Sequence, residues 1–109
     1  MKVGYIIASN EVMVEGKPIG YLYRERPDKD ADSGWRVFSG EETQEYADEP
    51  ANFAMYNAST IVEMDPAIAL LLAHDYPVSF ERDRATGGFV EVEDQTPFAA
   101  RGPLLDEDQ

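Results

Sequence analysis

The sequence predicts an α+β fold, with an antiparallel or mixed β-sheet of about five strands and a short helical layer on one face. Three observations predict it. Runs of β-branched and aromatic residues mark strands near both ends of the chain. One apolar stripe at helical spacing lies between them, and the element order is therefore three strands, helix, two strands. At 109 residues and with no cysteine, the chain has room for one core and folds without a disulfide framework.

Residues 3–9 carry apolar side chains on both alternating faces, as expected of a central strand covered on both sides. Glu15-Gly16-Lys17-Pro18 is turn chemistry. After it Ile19, Tyr21 and Tyr23 alternate with Gly20, Leu22 and Arg24, giving a second strand that is expected to lie antiparallel to the first. Pro27 and the polar run at 28–34 end that strand, and residues 35–39 read as a third, closed by Gly40. Trp35 is the largest side chain available and is expected to anchor this strand in the core.

Residues 41–49 are strongly acidic and fit a short exposed helix or a loop, stopped by Pro50. Thr60-Ile61-Val62-Glu63 has the form of a capping box, and Asp65-Pro66 that of an N-cap followed by proline at the first helical position. Ile61, Met64, Ile68, Leu71 and Leu72 then step by three or four residues, the stripe of two short helices or one broken helix covering a sheet. Tyr76-Pro77 ends the helical run. Residues 78–82 and 89–92 are short strands joined by a hairpin whose Gly87 and Gly88 suit positive φ. Residues 1–93 are thus expected to form the domain, and 94–109 an acidic mobile tail in which only Phe98, Leu104 and Leu105 favour docking.

Nine Lys plus Arg against 22 Asp plus Glu leave a net charge of −13. Such a charge repels phosphate backbones and anionic lipid, so neither nucleic acid nor a membrane is expected as a partner. The amino-terminal apolar run is too short for a signal peptide or a membrane span, and a cytoplasmic location is expected.

Candidate chemistry is sparse. Carboxylates alternate in Asp28-Lys29-Asp30-Ala31-Asp32-Ser33-Gly34 as at the start of a calcium loop. However, Ser33 stands where glycine is needed and Ser39 where a bidentate acid is needed, so the run reads as a solvated turn. His74 falls near the carboxyl end of the helical segment, where a cation is favoured by the helix dipole, and no nucleophile motif accompanies it. Tyr5, Tyr21, Tyr23, Trp35, Phe38, Phe80 and Phe89 all fall on strands, and packing of the sheet against the helices explains them without a ligand pocket. No catalytic residue, metal site or cofactor site is indicated.

A resemblance adds what composition does not. Ile7-Ala8-Ser9-Asn10-Glu11-Val12, the run from Gly16 through Tyr21-Leu22-Tyr23 to Glu25, and Asp32-Ser33-Gly34-Trp35-Arg36-Val37-Phe38-Ser39-Gly40-Glu41 together resemble the bacterial immunity protein 33 domain. Asp65-Pro66, Phe80-Glu81-Arg82 and Gly88-Phe89 extend the likeness to about residues 4–93, and Ser33 to Arg36 is its most specific part. The resemblance implies a non-enzymatic protein of a polymorphic toxin system that binds a cognate toxin and blocks it. It supplies no catalytic residues. A basic toxin is the partner that an acidic domain would meet fastest, and the candidate contact residues are Trp35, Arg36, Glu41, Glu42, Glu45, Tyr46, Asp48 and Glu49. Reversing the charge of Glu41, Glu42 and Glu45 is expected to leave the fold intact. A housekeeping or regulatory binding module, and a small-ligand protein or enzyme, are the alternatives. An isolated gene would favour the former, and a deep pocket with converging polar groups the latter.

Overall fold

The computed structural model describes residues 4–27 and 29–93. Six strands form one mixed sheet in the order β4-β1-β3-β2-β5-β6, where β1 is Tyr5–Ser9, β2 Tyr21–Arg24, β3 Asp32–Phe38, β4 Phe53–Tyr56, β5 Val78–Arg82 and β6 Phe89–Val92. Three short α-helices interrupt the strands: α1 (Asn10–Met13), α2 (Gln44–Ala47) and α3 (Ala58–Met64). The α+β class, the mixed sheet and its helical layer are as the sequence predicts, with one strand more.

The extra strand is β4, which follows a 3₁₀ turn at Pro50–Asn52 and pairs antiparallel with β1. The second strand does not pair with the first. Ser9 caps α1 by accepting from the Glu11 N–H at 3.1 Å, and the chain then passes through Gly16 at φ 80° before β2 begins. That detour carries β2 past one strand width, and β3 returns into the gap. Because β3 is antiparallel to β2, it lies parallel to β1.

Strand β3 begins at Asp32, three residues before the strand expected at 35–39, and every residue in it is buried. The polar start that reads as a turn is built into the sheet by its own side chains. The Asp32 carboxylate accepts from the Gly34 N–H at 2.9 Å, and Ser33 Oγ accepts from the Trp35 N–H at 3.0 Å. The register with β1 slips here. Gly34 absorbs the slip at φ 90°, where a side chain would collide with the Glu25 carbonyl.

The helical layer covers one face of the sheet. Ile6, Leu22, Trp35, Val37 and Phe80 from the strands meet Val12, Ile61, Ile68 and Leu72 in one core. Ile61, Ile68 and Leu72 of the expected stripe are buried, whereas Met64 is exposed. The capping-box reading of residues 60–63 is corrected: Thr60 lies inside α3, whose N-cap is Asn57. Asp65 is an N-cap as expected, accepting from the Ala67 N–H at 3.3 Å and opening a 3₁₀ turn with Pro66. In the β5–β6 hairpin Gly87 takes φ 79° and Gly88 does not take a positive φ. The acidic tail at 94–109 and Asp28 lie outside the described residues.

Packing against the helices accounts for only some of the strand aromatics. Trp35 and Phe80 stack at 6.3 Å in the helix-covered core. Tyr21, Tyr23 and Phe38 form a second buried cluster on the opposite face, with Phe53, Ala47 and Val92 packed against it.

Trp35 is 0 % exposed. Its indole Nε1 is buried without a hydrogen-bond partner, so the ring serves by volume and contact. Trp35→Ala is expected to lower unfolding free energy by about 3–5 kcal/mol; denaturant titration measures it, and an unchanged midpoint would contradict this packing.

Candidate functional site

The eight candidate contact residues separate into two groups. Trp35, Arg36 and Glu42 are buried. Glu41, Glu45, Asp48 and Glu49 are exposed, and Tyr46 is half-buried.

Arg36 points to the face opposite Trp35, as alternation along a strand requires. Its Nη1 and Nη2 donate to Asp32 Oδ1 and Oδ2 at 2.9 and 2.8 Å, and its Nε donates to Glu25 Oε2 at 2.8 Å. Burial alone would lower the Arg36 pKa, but the hydrogen bonds and charges of Asp32 and Glu25 outweigh it and hold the guanidinium above its ordinary value. The same geometry answers the calcium-like run. Asp32, one of its carboxylates, is engaged by Arg36 and Gly34, and Asp30 is exposed.

Glu42 is 4 % exposed, and its carboxylate accepts from the backbone N–H groups of Ser39 and Gly40 at 2.8 and 3.0 Å. It closes the end of β3, which corrects the expectation that reversing its charge would leave folding untouched. Glu41 is paired with Lys17 at 3.1 Å, and Lys17 also reaches Glu11 at 3.3 Å. Those two bonds raise the Lys17 pKa. The exposed negative group is therefore Glu45, Asp48 and Glu49, on and just after α2, a helix opened by Thr43 accepting from the Tyr46 N–H at 3.0 Å.

Beside this group lies an apolar groove of about 330 Å³ on the face away from the helical layer. Ile7, Tyr23, Phe38, Ala47, Phe53 and Met55 line it, and Arg36 contributes its one cation. Tyr46 stands edge-on to Phe53 at 6.1 Å, and Phe53 edge-on to Phe38 at 5.6 Å, so aromatic contacts run continuously from α2 to the sheet. Met55 on β4 is 65 % exposed at the rim. An apolar, partly aromatic patch rimmed by charge is the anatomy of a protein-binding surface. Sequence reasoning misses Phe53, Met55, Ala47, Pro50 and Ile7. The usable signal is the uncharged run Phe53-Ala54-Met55-Tyr56, set between Pro50 and Asn57.

A larger recess of about 680 Å³ opens between the ends of β2 and β5 and the turn after β3. Four charged side chains line it, Glu41, Glu81, Arg82 and Arg84, and two of them are engaged outside it. Glu41 holds Lys17, and Arg82 donates to both oxygens of Asp65 at 3.3 and 3.0 Å while lying 4.4 Å from the Phe89 ring centroid. His74 sits at the carboxyl end of the 3₁₀ turn Leu71–Ala73, as expected. Its Nδ1 lies 3.1 Å from the Leu71 carbonyl, and its ring stands edge-on to Phe80 at 5.0 Å. Among the described residues no helix is long and apolar enough to cross a membrane.

The family model for the Immunity protein Imm33 domain matches residues 6–93, which includes β3, α2, β4 and the groove they form. No curated protein and no solved structure matches the chain.

The division of the acidic segment is measurable as stability. Glu42→Ala removes the buried carboxylate that accepts from the Ser39 and Gly40 N–H groups and is expected to cost about 1–3 kcal/mol, whereas Glu45→Ala, on the surface, should stay within about 0.5 kcal/mol of wild type. Equal losses in chemical denaturation would show that Glu42 is not a structural cap.

Proposed function

Because the chain belongs to the Immunity protein Imm33 domain family, we propose that it binds and neutralises a cognate bacterial toxin through contact between protein surfaces, without catalysis. The family match over residues 6–93 is the observation that carries this reading. The groove beside α2 supports it. Aromatic and aliphatic side chains in a depression supply the burial that holds a complex together, and exposed charges at the rim steer its formation. Within this reading the contact set is Glu45, Tyr46, Asp48 and Glu49 with Phe53 and Met55. Trp35, Arg36 and Glu42 support it from inside the fold.

The proposed partner is basic and the proposed place of action is the cytoplasm. Between Arg36 and Arg82 the sequence carries nine carboxylates and no Lys or Arg, and the exposed Glu45, Asp48 and Glu49 of that stretch lie together on and just after α2, on one side of the groove. A toxin whose active cleft is positive, such as a nuclease, would be drawn to that side and covered by it.

Co-expression with a toxin domain, sought among the genes that flank this one, tests the proposal. Growth should be restored by the wild-type chain and lost again when the chain is withdrawn. The triple variant Glu45→Lys, Asp48→Lys, Glu49→Lys should associate about ten-fold or more slowly at low salt, with the difference shrinking as salt is added. Circular dichroism should show an unchanged fold. Failure of the wild-type chain to bind the toxin domain or to protect the cell would overturn the proposal.

A further inference from the structure

β4 is an edge strand, and among the described residues it is paired with β1 alone. Alternate N–H and C=O groups of such a strand point away from its neighbour and can pair with another chain. Proteins normally blunt such an edge with charge, proline, a bulge or a cover. Phe53-Ala54-Met55-Tyr56 has neither charge nor proline, and its register with β1 runs without a slip from Ser9↔Phe53 to Ile6↔Tyr56. Ala54 and Met55 are exposed. The other edge differs, because β6 places Glu91 inside the strand and Glu93 just after it.

Charge decides what kind of chain fits. β4 lies within the stretch that has nine carboxylates and no Lys or Arg. The exposed acids of α2 precede it, and exposed Glu63 of α3 follows it. A second copy pairing with β4 would bring two such acidic sets together, and like charges across an interface oppose association. A cationic strand from a different protein meets complementary charge there.

We propose that β4 accepts an extended, cationic strand of the toxin as a seventh strand of the sheet, an inference that rests on the immunity reading and gives its binding mode. Main-chain hydrogen bonds to β4 would supply affinity. Alternate side chains of the added strand would lie beside Phe53 and Met55 at the groove, supplying specificity.

Hydrogen–deuterium exchange with the purified toxin domain that the co-expression test identifies tests it. In the complex, amides of residues 53–57 should exchange at least about ten-fold more slowly, and those of 89–92 should not change. Met55→Lys, which puts a cation on the edge, should weaken the complex about ten-fold or more, whereas Val90→Lys on the far edge should stay within about two-fold. Met55 and Val90 are 65 % and 49 % exposed, so both variants should melt as wild type does. A complex that forms without protecting residues 53–57, or that tolerates both lysines equally, would overturn strand addition and leave the immunity reading standing. No complex at all would overturn both.

Discussion

The bidentate pair between Arg36 and Asp32 is the interaction on which the rest of the molecule depends. A guanidinium in the middle of a fully buried strand is tolerated only if its charge and donors are met, because an unpaired ion inside a protein costs several kcal/mol. Asp32 meets it from within β3, and Glu25 meets it from the segment that follows β2. The same carboxylate accepts from the Gly34 N–H, fixing the turn of backbone that lets the strand slip against β1. One side chain thereby sets where β3 starts, how it registers with β1 and what stands beneath the groove.

This places the stretch from Ser33 to Arg36 inside the fold. Ser33, Gly34, Trp35 and Arg36 build a platform: Ser33 ties down the next amide but one, Gly34 permits close approach to Glu25, Trp35 fills the helix-covered core and Arg36 anchors the opposite face. The surface that such a platform presents comes from the segment after it, through α2, the turn at Pro50 and β4.

The sequence makes the sheet and its helical cover legible because burial imposes a period. Ile61, Ile68 and Leu72 fall at helical spacing and reach the core, and Tyr21-Leu22-Tyr23 alternates between two buried faces. What stays hidden follows from side chains satisfying one another at a distance. Asp32 and Ser33 look like turn residues until Arg36 and the Trp35 amide are seen to use them. Glu42 looks like its acidic neighbours until the ends of Ser39 and Gly40 require a carboxylate. β4 is hidden for another reason. Four residues of mixed propensity become a strand only because β1 offers an edge, a tertiary effect that overrides local preference.

If the Arg36 pair organises the platform, its removal must be felt as stability and not first as binding. The direct measurement is the unfolding free energy of Asp32→Asn, which keeps the shape and removes the charge. The account predicts a loss of about 3–5 kcal/mol, the cost of leaving a buried guanidinium half-compensated. Glu25→Gln, whose carboxylate is half-exposed, should lose less than about 1 kcal/mol. An Asp32→Asn protein as stable as wild type would contradict the account, because β3 would then be held without the interaction assigned to it.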